Sequence, residues 1–119
     1  MKTGLLTAIL ILFLASGCTD VRSTPKPGSP DWVRTLITKY QNAPVGNPPQ
    51  SIWRYEYKGG TVYYIPPQCC DQFSQLYNAS GSLICAPDGG ITGTGDGKCS
   101  DFSSARSNGV MIWSDHRTK

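Results

Sequence analysis

The chain has 119 residues, with 11 Lys and Arg against 8 Asp and Glu and a formal net charge of +3. A balance so near neutral supplies no electrostatic case for nucleic acid, whose binding depends on neutralising phosphates. Charged residues are sparse while Gly (13) and Pro (9) are frequent, which suits a loop-rich extracytoplasmic module better than a helical enzyme core.

Lys2 precedes a nearly unbroken apolar run from Leu5 to Leu14. A membrane-spanning helix needs roughly 20 apolar residues, about twice this run, so the segment reads as a signal peptide and not as an anchor helix. Ala15, Ser16 and Gly17 then lead into Cys18, the arrangement a lipoprotein signal peptidase cuts once the cysteine is acylated. Ala15 stands where Leu is usual, with Leu14 one position earlier; the same three residues also form a small-x-small site for ordinary cleavage at the same bond. Residues 1–17 are therefore expected to be removed and Cys18 to carry a lipid such as palmitate. The product would be tethered in the cell envelope, on a membrane facing the periplasm or the cell surface. Loss of Lys2 lowers the net charge from +3 to +2. Residues 18–29 lack apolar periodicity and carry Pro25 and Pro27, which predicts a flexible tether reaching about 30–35 Å at about 3.1 Å per residue.

The rest reads as one α+β domain over residues 30–119. Ser29, Pro30 and Asp31 resemble an N-cap, a first helical proline and an acidic first turn. Trp32, Val33, Leu36, Ile37 and Tyr40 recur at helical spacing, predicting a helix from Pro30 to Gln41 with one apolar face. Residues 43–50, with three prolines, break it. Ile52–Tyr57 and Thr61–Ile65 flank Lys58-Gly59-Gly60, a hairpin signature, with Trp53, Tyr55 and Tyr57 alternating with Arg54 and Glu56. One face of that strand should pack and the other should meet water. Short strands are expected at Ser82–Cys85 and Val110–Trp113, separated by a glycine-rich loop from Pro87 to Lys98 and one helical turn near Phe102–Arg106. The predicted fold is an N-terminal helix on a small, mainly antiparallel sheet, loop-rich and disulfide-stapled.

Four cysteines remain beside Cys18: Cys69, Cys70, Cys85 and Cys99. In an oxidising compartment an even number implies disulfides. A bond between adjacent cysteines closes a strained ring, so the expected pairings are Cys69 with Cys85 and Cys70 with Cys99, or the swap, each contributing about 3 kcal/mol on the chain-entropy account. A redox motif or zinc site is disfavoured: there is no Cys-x-x-Cys, and the single histidine, His116, sits near the end.

The loop from Cys85 to Phe102 is rich in Gly and oxygen ligands. Asp88, Asp96 and Asp101, with Thr92, are weak candidates for a calcium site, but their spacing fits no EF-hand, and Asp-Gly pairs are also the commonest turn signal. Turn chemistry is the expected role, with calcium as the one conceivable cofactor.

Several elements together resemble a known family: Tyr63-Tyr64-Ile-Pro-Pro-Gln-Cys69-Cys70-Asp71, Ile84-Cys85-Ala-Pro-Asp88-Gly-Gly-Ile-Thr-Gly-Thr-Gly-Asp96-Gly-Lys-Cys99-Ser-Asp101-Phe102, and Ile112-Trp113-Ser-Asp115. The likeness, from about Asn47 to Arg117, is to an uncharacterised domain of unknown function in small lipoproteins common in Bacteroidetes. Ser100 stands where that family more often has Pro, and residues 103–108 are less charged than is usual there. The resemblance implies location and domain extent, and no activity.

No Ser-His-Asp or Cys-His arrangement is suggested, and the carboxylates are isolated along the chain, so no catalytic residue is expected. The leading expectation is a non-catalytic envelope module, membrane-held through its lipid, that binds an envelope protein or glycan. The alternative is an inhibitor of a secreted hydrolase, a lysozyme or protease, acting through the loop Pro87–Lys98; a small envelope enzyme ranks below both. The aromatic residues can equally be sheet packing.

Overall fold

The computed structural model describes Gly17 and residues 23–118. The signal peptide expected over 1–17, apart from Gly17, and the lipid-bearing Cys18 lie outside the described residues. The described chain folds into a helix α1 (Asp31–Gln41), strands β1 (Ser51–Tyr57), β2 (Gly60–Ile65), β3 (Gln75–Asn78) and β4 (Leu83–Cys85), a short helix α2 (Phe102–Ala105) and a last strand β5 (Ser107–Ser114). The strands form one antiparallel sheet in the order β4-β3-β2-β1-β5, giving an α+β architecture.

The central hairpin follows from its turn. Tyr57 pairs with Gly60 across a two-residue loop, and Lys58 (φ 49°) and Gly59 (φ 76°) both take the left-handed conformation that matches the twist of the flanking strands. Strand β3 was not expected: Gln75–Asn78 buries only Leu76 completely, and four residues with one core side chain give no legible alternation. Strand β5 is longer than Val110–Trp113 because it runs from Ser107 past Gly109, where a Cβ would stand 2.5 Å from the Tyr55 ring.

Both faces of the sheet are covered. Under α1, Val33 and Ile37 pack with Ile52, Tyr63, Ile65, Ile112 and Trp113. Trp32 meets Tyr63 edge-on at 5.2 Å, and Tyr40 stacks on Trp113 at 6.1 Å. Burial, with the neighbouring Tyr77 adding to it, pushes the Tyr40 phenol up to about 12. On the other face Tyr57, Val62, Leu76, Cys85, Cys99 and Phe102 form a second cluster, with Tyr55 and Tyr64 against it. The expectation that one face of β1 meets water is therefore corrected: Ile52, on the Arg54 and Glu56 side, is fully buried beneath the helix, and only the far half of that face opens.

Residues 23–29 were expected to be free tether, and this too is corrected. Ser23 Oγ donates to the Ser114 carbonyl (2.8 Å). The Ser23 carbonyl in turn accepts from Trp113 Nε1 (2.9 Å) and Gln41 Nε2 (3.2 Å). The Lys26 amide donates to the Ile112 carbonyl (3.2 Å), covering part of the outer edge of β5, an unpaired row that would otherwise template association. Ser29 does not cap the helix; its hydroxyl donates to the Lys26 carbonyl (2.6 Å), and Pro30 occupies the cap position.

A clamp joins the chain's end to the end of α1. Asp115, buried, accepts from Arg117 Nη2 at 2.7 Å and Nε at 2.9 Å, while the same guanidinium donates to the carbonyls of Gln41 (3.1 Å) and Tyr40 (2.9 Å) at the end of the helix, the latter also accepting the Ala43 amide (3.1 Å). The hydrogen bonds from Arg117 hold the Asp115 carboxyl below the usual carboxylate range.

Two outcomes follow. Ile52→Ala, at a fully buried position in the larger cluster, should cost about 2–5 kcal/mol in denaturant unfolding of the domain; a loss below 1 kcal/mol would contradict that packing. Because the folded Asp115 titrates below its unfolded value of about 3.9, its contribution is present above that pH and lost as pH falls through the depressed value. Asp115→Asn should thus be less stable than the parent at neutral pH and flatter against acid, a comparison that melts between pH 7 and pH 2 measure.

Candidate functional site

The open half of the helix-side face forms a cleft of about 460 Å³. Its floor is set by strand register. Arg54 lies between Tyr63 on β2 and Val110 on β5, and Glu56 lies between Thr61 and Ser107. One wall is the turn between β3 and β4 at Ala79, whose carbonyl accepts from Trp32 Nε1 (2.9 Å); that bond pins the first turn of α1 and marks where the helix stops covering the sheet. The opposite wall is Asn108, held by Nδ2 donating to Glu56 Oε2 (2.9 Å).

The chemistry of this cleft centres on Arg54. Glu56 is engaged by Asn108, Asp101 by Lys58 and Asp115 by Arg117, and among the described residues Arg54 has no ion-pair partner. It is half-buried and flanked by an aromatic ring and a β-branched side chain. Burial raises the Tyr63 phenol, and the Arg54 charge partly offsets that rise, so the two groups sense each other. A guanidinium in such a place offers a planar fork of donors to a carboxylate or a similar anion, while Tyr63, Thr61 and Asn108 offer further contacts.

The expected metal candidates go elsewhere. Asp88 accepts from the Tyr64 hydroxyl (2.8 and 3.0 Å), which with burial raises that phenol's pKa. Asp96 accepts from the backbone of Lys98 (3.0 Å) and Ala86 (3.1 Å), the first of these doing most to lower its carboxyl pKa. Asp101 accepts from the Tyr57 hydroxyl (2.6 Å), is lowered chiefly by that bond, and has Lys58 Nζ at 3.5 Å. Thr92 pairs with Thr94 (2.7 Å). The three carboxylates thus serve three different contacts, and among the described residues no group of three or more His, Cys, Asp or Glu is arranged to hold a metal. Asp96 and its neighbours knit the loop internally, since the Asp96 amide also donates to the Ala86 carbonyl (2.9 Å) and the Gly95 amide to that of Gly89 (3.0 Å).

The expected disulfide pairings are corrected. Cys85 bonds Cys99, and Cys69 bonds its neighbour Cys70. The reason is placement: Cys85 ends β4 and Cys99 precedes α2, both buried in the Phe102 cluster, whereas Cys69 and Cys70 sit exposed in the connection from β2 to β3. Cys85–Cys99 closes the glycine-rich loop at a sequence separation of 14 and contributes about 3 kcal/mol. Ser114 Oγ and His116 Nε2 lie 3.0 Å apart; the pair is exposed, and among the described residues no third side chain hydrogen-bonds the imidazole. Arg54 was read only as the water-facing partner in an alternating strand, and its signal as a binding group appears only once Trp32 is seen to end the helix cover.

Residues 38–115 match the family model described as Domain of unknown function (DUF6970). No curated protein and no solved structure matches the chain. Among the described residues no helix is long and apolar enough to cross a membrane.

Non-reducing peptide mapping of protein from an oxidising compartment should recover Cys85 joined to Cys99, with Cys69 and Cys70 linked inside one peptide. Crosswise pairing would overturn the arrangement above.

Proposed function

The chain belongs to the DUF6970 family through residues 38–115, and for this member we propose a non-catalytic envelope lipoprotein, anchored by a lipid on Cys18, whose Arg54 cleft binds an anionic group on an envelope protein or glycan. The observation that carries the reading is Arg54, half-buried and without an ion pair among the described residues, set in a cleft whose other charged side chain, Glu56, is already engaged. A carboxylate bound in the cleft would make charge-assisted, bidentate hydrogen bonds with the Arg54 guanidinium. The apolar run, the small residues before Cys18 and the Bacteroidetes-type lipoprotein resemblance support the location.

The inhibitor reading draws support from one feature. The loop between Cys85 and Cys99 is closed by a disulfide and by its own hydrogen bonds, and Ile91 stands out of it at 88 % exposure, so a stiff loop presents an apolar side chain.

Affinity capture from envelope extracts with the anchored protein tests the first reading. Arg54→Glu should reduce recovery of the bound species about tenfold or more without lowering the melting temperature, consistent with the loss of a charge-assisted pair. Equal recovery by the two proteins would sink the cleft as the site. Cys18→Ser should abolish incorporation of a fatty-acid analogue, and unchanged labelling would exclude the anchor; inhibition assays on a lysozyme and a protease, with Ile91→Asp as control, test the second reading.

A further inference from the structure

If Cys18 carries a lipid, as proposed above, the docking of Ser23 decides how far the domain can stand from the membrane. Only residues 19–22 separate Cys18 from Ser23, whose side chain and carbonyl are bonded to Ser114, Trp113 and Gln41. The five residue-to-residue steps from Cys18 to Ser23 reach at most about 17 Å when fully extended, half the span expected for a free tether. The attachment is also at one end of the sheet. Ser23 lies beside the last residue of β5, and Arg117 ties that end to the last turn of α1. Strand register puts the start of β1, the end of β2 and the start of β3 at the same end, since Ser51 pairs with Ser114 and Ile65 with Gln75.

A second observation falls on that end. Phe73 lies two residues before Gln75, bridges to Gly89, and is 55 % exposed; Ile91, on the adjoining loop, is 88 % exposed. Together with Gly90, Thr92, Gly95 and, at its rim, the exposed Asp71, they line a shallow hollow of about 320 Å³ whose large side chains are apolar. Two large apolar side chains projecting from the end of the domain where the chain enters are placed to rest in the headgroup region of a bilayer.

We propose that this end, from Ser23 across to Phe73 and Ile91, lies against the lipid bilayer that holds Cys18, so that the Arg54 cleft opens away from it. Asn108, at the cleft, is six residues along β5 from Ser114, which sets the cleft about 20 Å farther from the membrane. Ile91 cannot both rest on the bilayer and enter a soluble hydrolase, so this arrangement and the inhibitor reading exclude each other.

The test uses the mature chain from Cys18 with its disulfides formed and its Cys18 thiol coupled to a maleimide lipid, so that it stands apart from whether cells lipidate Cys18; the fatty-acid labelling above answers that separately. The protein is placed on phosphatidylcholine–phosphatidylglycerol vesicles and treated with a water-soluble amine reagent, and each lysine's modification is compared with that of the same protein in detergent. Lys39, in the last turn of α1, and Lys58, in the turn at the far end of β1, are both exposed. On vesicles Lys39 should be modified several-fold less than in detergent, with Lys58 unchanged. Equal modification of the two would overturn the orientation. Phe73→Ser combined with Ile91→Ser should halve the Lys39 protection or more, with melting unchanged; full protection in that variant would overturn the apolar contact.

Discussion

The structure depends on burying a small sheet from both sides with very little chain. The hairpin β1–β2 is its centre: Ile52, Tyr63 and Ile65 face α1, while Tyr57, Val62 and Tyr64 face Phe102 and the disulfide Cys85–Cys99. A sheet of five short strands cannot stand alone on one apolar face, and neither cover is large. The helix gives 11 residues and the other face gets a four-residue helix plus a covalent staple. Phe102 carries much of the second face, meeting Tyr55, Tyr57 and Tyr64 at ring distances of 5.3–5.6 Å. The loop that delivers it is therefore a structural part, which explains why its aspartates are spent on Tyr64, Tyr57 and backbone amides.

The same economy produces the cleft. A helix of 11 residues is about 16 Å long, shorter than the eight-residue strand β5 below it, so part of the sheet stays uncovered. Trp32 fixes where the cover ends through Tyr63, Tyr77 and the Ala79 carbonyl. Beyond it, the positions that carry Ile52 and Ile65 near the helix's far end carry Arg54, Glu56 and Thr61. The polarity of the cleft and its position are thus one fact.

Much of this was legible along the chain, and the failures share a cause. The hairpin could be read because its turn needs two left-handed residues and Lys58-Gly59 follows an aromatic alternation. The spacing of Trp32, Val33, Leu36, Ile37 and Tyr40 marks the residues that meet the sheet. What could not be read depends on contacts between segments far apart. β3 exists because Leu76 fits between Tyr64 and Cys85, which its own four residues do not announce. Cysteine pairing could not be settled by loop lengths, because the partners are chosen by which cysteines enter the core: β4 carries in Cys85, and the approach to α2 carries in Cys99. Ser23–Ser29 looks like linker by composition, yet it is held by partners about 90 residues away in sequence, Ser114 and Trp113.

That last contact joins the segment before α1 to the last strand. Ser23 bonds Ser114 and Gln41, Arg117 bonds Asp115 and the carbonyls ending α1, and Asp115 donates its amide to the Gln50 carbonyl (2.8 Å) at the start of β1. A pull on the N-terminal side is therefore shared among α1, β1 and β5 instead of peeling one strand. The ion pair at this end joins a buried carboxylate, Asp115, to an arginine that stays partly exposed, Arg117. The contacts that tie Ser23, Ser114, Asp115 and Arg117 together thus gather at one end of the sheet, and the Arg54 cleft opens at the other.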